Sequence, residues 1–128
     1  MRTYKEMCQL AQEGKTQFLT LELAKELIGK NITIMYPGYA GQNGVLSFKV
    51  GSIQSEYEYY KTQPCEGFNN RTEYWESYMT KKQLDETKSK LLILDEKLQS
   101  TYIFLNDDNY FCCGDSDRYV QFIIEDEN

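Results

Sequence analysis

The sequence predicts an α+β fold for this chain of 128 residues, with a curled and mainly antiparallel sheet of about six or seven strands. Three observations favour this class. Helical periodicity marks two N-terminal segments and a helical insertion around residues 70–88, apolar and polar residues alternate in two further blocks, and no strict βαβ order is present. A small barrel is the alternative for the curled sheet, and residues 1–128 are expected to form a single domain.

Two helices are predicted before the first strand. Thr3 and Glu6 have the spacing of a capping box, and the apolar residues that follow share one helical face, which predicts a helix over residues 4–13. Thr20 is a suitable N-cap for a second helix that ends at Gly29. The buried stripe of this helix would consist of Leu21, Ala24, Leu27 and Ile28. The alternative for this segment is a strand with Leu19, Leu21 and Leu23 on one face.

Strand periodicity begins at Asn31 and continues after a glycine-rich segment. The first strand would bury Ile32, Ile34 and Tyr36, and the second would bury Leu46, Phe48 and Val50. Gly51 and Ser52 could then form a two-residue turn, or Gly51 could be a bulge in a longer strand. After such a turn, a third strand would carry Ile53, Ser55, Tyr57 and Tyr59 on one face. Residues 36–44 lack a phosphate-loop motif and lead into a strand, which predicts a hairpin loop.

The helical insertion is predicted from two further capping signals. Asn70 precedes Glu73 by three residues, and Thr80 precedes Gln83 by the same spacing. The first of these helices would have a stripe of Arg71, Tyr74, Trp75 and Tyr78. Alternation then returns over residues 90–125 in four apolar segments separated by Asp, Asn and Gly turns, which predicts a meander of strands.

Composition and charge disfavour several classes of function. The net charge is −6, and the acidic excess lies in the last quarter of the chain, where Arg118 is the only basic residue. Direct nucleic-acid binding is therefore disfavoured, since it requires clustered Lys and Arg. The chain contains no histidine, so the commonest general base and zinc ligand is missing. We expect no catalytic centre, no metal and no cofactor.

The cysteines and the apolar segments indicate a cytoplasmic protein. Cys8, Cys65, Cys112 and Cys113 do not have the spacing of a secreted disulfide framework, so we expect four free thiols. The adjacent pair would place one thiol on each face of a strand. The N-terminus does not resemble a signal peptide and no apolar segment has the length of a membrane span, so neither export nor membrane association is predicted.

Two groups of residues are candidates for binding. The first is an aromatic patch, because aromatic side chains with polar tips are frequent at protein interfaces; it comprises Tyr57, Tyr59, Tyr60, Tyr74, Trp75 and Tyr78. The ordinary alternative is that these rings pack within the protein. The second is an acidic patch in two turns, formed by Asp107, Asp108, Asp115 and Asp117. These turns do not have the register of a calcium-binding loop, so solvated turn residues are expected.

Three functions are compatible with these observations. The leading hypothesis is a non-catalytic intracellular interaction module that uses the aromatic patch to bind another protein or a second copy of itself. The first alternative is an acidic decoy that occupies the basic groove of a nucleic-acid-binding enzyme. The second alternative is a small-ligand binder with a pocket in the curled sheet.

Overall fold

The computed structural model describes residues 2–37, 43–113 and 119–125. These residues form five helices and seven strands. The helices are α1 (Tyr4–Gln12), α2 (Leu21–Glu26), α3 (Glu56–Tyr60), α4 (Arg71–Tyr78) and α5 (Lys81–Ser89). The strands are β1 (Gln17–Phe18), β2 (Asn31–Tyr36), β3 (Gly44–Ser55), β4 (Leu91–Asp95), β5 (Ser100–Leu105), β6 (Phe111–Cys113) and β7 (Gln121–Ile124). The predicted α+β class is confirmed.

Side-chain caps explain where most of the helices begin. The Thr3 hydroxyl accepts the backbone N–H of Glu6 at 3.1 Å, and the Thr20 hydroxyl accepts that of Leu23 at 3.3 Å. Both N-terminal helices therefore start where the sequence predicts. The strand alternative after Leu19 is wrong, because the chain is extended only over the two residues of β1, before that position.

The seven strands form one antiparallel sheet in the order β1-β7-β2-β3-β4-β5-β6. The β2–β3 hairpin is in register from Asn31 opposite Lys49 to Tyr36 opposite Gly44; the predicted loop lies largely in residues 38–42, outside the described residues. The meander prediction is correct for β4, β5 and β6. It is wrong for β7, which pairs with β1 and β2. The sheet is open, so the barrel alternative is not adopted.

Gly51 is a bulge in a long strand rather than part of a turn. The β3–β4 register shifts between Val50 and Ser52, and β3 continues to Ser55. A Cβ at Gly51 would overlap the carbonyl oxygen of Asp95, so close approach of the two strands requires glycine here. The two-residue turn is therefore wrong and the bulge alternative is correct.

The predicted strand through Tyr57 and Tyr59 is also wrong, because the chain turns into α3 at Glu56. The Ser55 hydroxyl accepts the N–H of Glu58 at 3.1 Å and caps this helix. The helical insertion is therefore longer than predicted and contains α3, α4 and α5, residues 56–89. Its last helix has a complete capping box between Thr80 and Gln83, as predicted.

The apolar core lies on the sheet and against α2. Its fully buried members include Leu19, Ile32, Ile34, Ile93, Ile103, Phe111 and Val120. By contrast, the buried side chains of α4 and α5 are those of two threonines, Thr72 and Thr87. The insertion is therefore held on the sheet mainly by hydrogen bonds and partly buried rings.

Candidate functional site

Three contacts hold the helical insertion in place. The Thr72 hydroxyl donates a hydrogen bond of 2.8 Å to the backbone carbonyl of Tyr57 and so joins α4 to α3. The N–H of Glu56 donates to the carbonyl of Lys90 at 2.7 Å, and the side chains of these two residues form an ion pair at 3.5 Å. The Tyr59 hydroxyl accepts the N–H of Ser100 at 3.3 Å, which joins α3 to β5. These contacts fix where the aromatic side chains lie.

Half of the predicted aromatic patch packs within the insertion. The ring centroid of Tyr60 lies 5.0 Å from that of Tyr59 and 4.6 Å from that of Trp75, with the rings edge to face in both pairs. All three side chains are partly buried. This group matches the ordinary interpretation, in which the aromatic residues stabilise the fold.

Two further members of the predicted patch, Tyr74 and Tyr78, form an exposed row of rings with Phe68, which precedes α4. The centroids of Phe68 and Tyr74 are 5.3 Å apart, and those of Tyr74 and Tyr78 are 4.7 Å apart. The exposed fractions of these residues are 36%, 40% and 56%. We call Phe68, Tyr74 and Tyr78 the outer aromatic row. The predicted stripe from Arg71 to Tyr78 is therefore divided: Trp75 packs against Tyr60, while Tyr74 and Tyr78 are exposed and the buried residue of α4 is Thr72.

Tyr57 lies apart from both groups. Its ring is 4.8 Å from the ammonium of Lys61 and 5.0 Å from that of Lys88, which are cation–π distances. Its hydroxyl donates to the carboxylate of Glu76. This hydrogen bond to an acceptor of negative charge holds the pKa of the Tyr57 phenol above its ordinary value. The six predicted aromatic residues therefore form two clusters and a separate ring, not one patch.

A polar cleft of about 350 Å³ opens beside the inner aromatic cluster. It is lined by residues of α3, the segment after α3, α4 and β5, among them Tyr59, Tyr60, Gln63, Arg71, Ser100 and Tyr102. The guanidinium of Arg71 lies 5.7 Å from the ring centroid of Tyr60. Burial, followed by the negative charge of Glu56, raises the pKa of Tyr60 above its ordinary value, so this phenol keeps its proton at neutral pH.

Tyr102 was not predicted as a site residue, yet its backbone is the most unusual feature of the cleft. Its φ is +60°, which is the left-handed region that bulky residues rarely adopt, although it lies within a strand. Its side chain is 71% exposed. The sequence carries no signal for this conformation, because tyrosine in an alternating segment is typical of an ordinary strand.

The predicted acidic patch is described only in part. Asp107 and Asp108 are exposed in the turn between β5 and β6, whose shape depends on the side-chain oxygen of Asn106, an acceptor of the N–H groups of Asp108 and Tyr110. Asp115 and Asp117 lie outside the described residues, so their distance from this turn stays a prediction. Within residues 2–37, 43–113 and 119–125, no group of three potential ligands could hold a metal ion.

A third aromatic cluster was missed by the sequence analysis. The rings of Tyr110 and Tyr119 are stacked at 4.9 Å with an interplanar angle of 9°, and Phe18 lies edge-on to both at about 6 Å. The Tyr119 hydroxyl also donates to Asp108 at 3.3 Å. The cluster joins β1 and the residues just before β7 to the β5–β6 turn. Such long-range contacts leave no local pattern in the sequence.

None of the four cysteines, all of which lie among the described residues, is assigned to a disulfide, as expected from their spacing. Cys112 is buried and donates a weak hydrogen bond of 3.6 Å to the carbonyl of Phe104. Cys113 is partly buried against the apolar core, on the other face of β6. The predicted placement of one thiol on each face is correct.

A search of protein-family models, of curated proteins and of solved structures finds no match to this chain. Among the described residues, no helix combines the length and apolar character needed to cross a membrane. Function therefore has to be inferred from the surfaces of the protein itself.

Proposed function

We propose that this protein is a non-catalytic, cytoplasmic interaction module that binds a partner protein through the outer aromatic row. The observation that carries this proposal is that Phe68, Tyr74 and Tyr78 form a continuous line of exposed rings on one short segment. Tyrosine rings bury much area, lose little conformational entropy and retain a hydroxyl for hydrogen bonding, so they are frequent anchors of interfaces.

The charge around the outer aromatic row indicates the chemistry of the partner. Glu66, Glu73 and Glu76 are exposed on the same segment, and the whole chain carries a net charge of −6. Two copies facing each other through this surface would bring like charges together, which is unfavourable. We therefore favour a different protein, with an apolar patch bordered by Lys or Arg, over a second copy.

The proposal is tested with a variant that removes two of the three rings of the row and keeps the fold. In Tyr74→Ser/Tyr78→Ser, both phenol rings are lost and a small polar side chain replaces each. Affinity purification from the native host, followed by titration of each retained protein, should give binding at least about thirtyfold weaker, because truncation of an interface anchor costs about 2 kcal/mol or more. Retention of a partner by the folded double variant with unchanged affinity would contradict the proposal.

The matched control is Ile28→Ser, which removes an apolar side chain of similar exposure, 49%, from a site outside the insertion. It should bind as the unmodified protein does. Sedimentation of the protein alone distinguishes a second copy from a different partner. If the unmodified protein is a dimer and the double variant is a monomer, the row mediates self-association and our choice of a different partner is wrong. Circular dichroism should give the same spectrum for all three proteins.

The acidic decoy remains a second candidate because Asp107 and Asp108 are exposed together at one turn. Binding by a decoy depends on charge attraction, which salt screens over about 8 Å at physiological ionic strength. The same partner titration, repeated from low to high salt, should therefore show a steep loss of affinity for a decoy and a shallow one for an aromatic interface. Asp107→Asn/Asp108→Asn should weaken binding only in the decoy case.

A further inference from the structure

The cleft beside Tyr60 is lined by hydroxyl groups that are available to donate hydrogen bonds to a ligand. The Tyr59 hydroxyl accepts the N–H of Ser100, and no described residue accepts the proton of that hydroxyl. Tyr60 and Tyr102 also line the cleft, and no buried polar atom of the described residues there lacks a partner, so their hydroxyls are open to solvent or to a ligand. Because the raised pKa of Tyr60 keeps its phenol neutral, this hydroxyl can donate.

Arg71 supplies the positive charge of the cleft. Its guanidinium lies 5.7 Å from the ring centroid of Tyr60 and has no carboxylate partner within 4 Å among the described residues, while both acids of α3 form ion pairs with lysines. Glu56 is bound to Lys90 and Glu58 to Lys61. An arginine without a carboxylate partner, beside three phenols, presents a planar fork of donors that matches the oxygen atoms of a carboxylate or phosphate.

Tyr102 adds a ring whose position is energetically costly. A bulky residue at a φ of +60° is strained, and the exposed side chain gains little packing that could offset the strain. Tyr102 lines the cleft together with residues of α3 and α4. Its ring could stack on a flat group of a ligand.

We propose that this cleft binds a small organic oxyanion, a carboxylate or phosphate group attached to a flat ring, with Arg71 and the Tyr59 and Tyr60 hydroxyls on the oxyanion and Tyr102 against the ring. The volume of about 350 Å³ lies at the lower end of the range for small-ligand sites. The site does not include the outer aromatic row, so this proposal and the proposed docking function can fail independently.

Binding is tested by NMR titration of the ¹⁵N-labelled full chain with phenyl phosphate, benzoate, inorganic phosphate and benzyl alcohol. The Ser100 amide and the Arg71 side-chain N–H should shift saturably with phenyl phosphate or benzoate, and more weakly with inorganic phosphate, which lacks the ring. The stronger of the two ring-bearing anions identifies the oxyanion. Absence of saturation with both anions, or equal shifts with benzyl alcohol, would overturn the proposal.

Arginine variants test the role of the charge. Arg71→Gln should weaken the binding of the better anion by about tenfold or more, because a charge-assisted hydrogen bond is lost, while Arg71→Lys should lie in between. The matched control is Lys81→Gln, which removes one positive charge from the start of α5, outside the cleft. Equal weakening by Lys81→Gln and Arg71→Gln would mean general charge attraction and would refute a specific site.

A glycine variant tests the role of the strained ring. Tyr102→Gly removes the ring and accepts the positive φ without strain, so the variant should be at least as resistant to heat as the unmodified protein and yet bind the anion severalfold more weakly. Its amide spectrum outside β5 should be unchanged. Unaltered anion affinity in this variant would show that the Tyr102 ring is not part of the site.

Discussion

The sheet and the helical insertion are stabilised in different ways. The sheet buries large aliphatic and aromatic side chains completely, as Ile34, Ile93 and Phe111 show. In the helices of the insertion, residues 56–89, the buried side chains are those of two threonines, Thr72 and Thr87. Apolar burial contributes about 25 cal/mol per Å², whereas a net hydrogen bond contributes about 1 kcal/mol. The insertion should therefore be the less stable region and the first to open locally.

This difference also explains why both candidate binding features lie in or beside the insertion. A helix that buries a threonine hydroxyl instead of a leucine side chain leaves its aromatic residues available for the surface, as Tyr74 and Tyr78 are. The single tryptophan, Trp75, belongs to the insertion, so its fluorescence reports on this region, while far-ultraviolet circular dichroism reports on the sheet and all the helices together, those of the insertion included. A difference between the two transitions therefore indicates that the insertion unfolds separately from the rest of the protein.

The largest decrease in the free energy of unfolding is expected from Phe111→Ala. Phe111 is fully buried in the core, and loss of such a ring leaves a cavity that costs about 3 to 5 kcal/mol. The insertion packs on the sheet, so it should unfold when the sheet does. The midpoint urea concentration of unfolding should therefore decrease both in fluorescence and in circular dichroism. A variant in which only circular dichroism shifts would mean that the insertion folds without the sheet.

A smaller and more local effect is expected from Thr72→Val. This change keeps the shape of the side chain but removes the donor to the Tyr57 carbonyl, which costs about 1 to 2 kcal/mol. The Trp75 fluorescence transition should move to lower urea concentration, while the circular-dichroism transition should move less. Thr72→Ser, which retains the hydroxyl, should largely preserve the fluorescence transition. Equal shifts of both signals in Thr72→Val would show that the two regions unfold together.

Local signals in the sequence predicted the helices well. The caps at Thr3, Thr20, Asn70 and Thr80 depend on residues three positions apart, so they could be identified without tertiary information. The same signal was present at Ser55 and Glu58 but was outweighed by the alternating tyrosines that follow. The capping residue was the better guide, because it satisfies a backbone donor whatever the packing of the rings.

Long-range features could not be predicted in the same way. The pairing of β7 with β2 joins residues about ninety positions apart, and no turn or periodicity specifies that choice. The cleft combines Tyr60, Arg71 and Tyr102 from three separate elements. The pattern of α4 left open which of its aromatic residues pack and which are exposed, because that depends on the Thr72 hydrogen bond and on the contact of Trp75 with Tyr60.

The smallest effect concerns the response of the sheet to acid. Glu125 follows β7 and accepts hydrogen bonds from Arg2 at 2.9 Å and from Thr33 of β2 at 2.6 Å. The bond from Arg2, followed by that from Thr33, lowers the pKa of Glu125 below its ordinary value. The folded state therefore binds this proton less readily than the unfolded state. The resulting stabilisation is complete above the unfolded pKa of about 4.3 and is lost as the pH falls through the folded pKa.

Glu125→Gln should therefore flatten the acid side of the stability curve. The free energy of unfolding, measured by urea titration between about pH 6 and about pH 3, should fall less in the variant than in the unmodified protein. The difference should stay below about 1 kcal/mol, because the Arg2 side chain is 39% exposed and solvent screens the ion pair. Arg2→Gln should change the curve in the same direction, since it removes the main cause of the lowered pKa. If the free energy of unfolding decreased equally with falling pH in all three proteins, the contact of Glu125 with Arg2 and Thr33 would contribute no pH-dependent stability to the sheet.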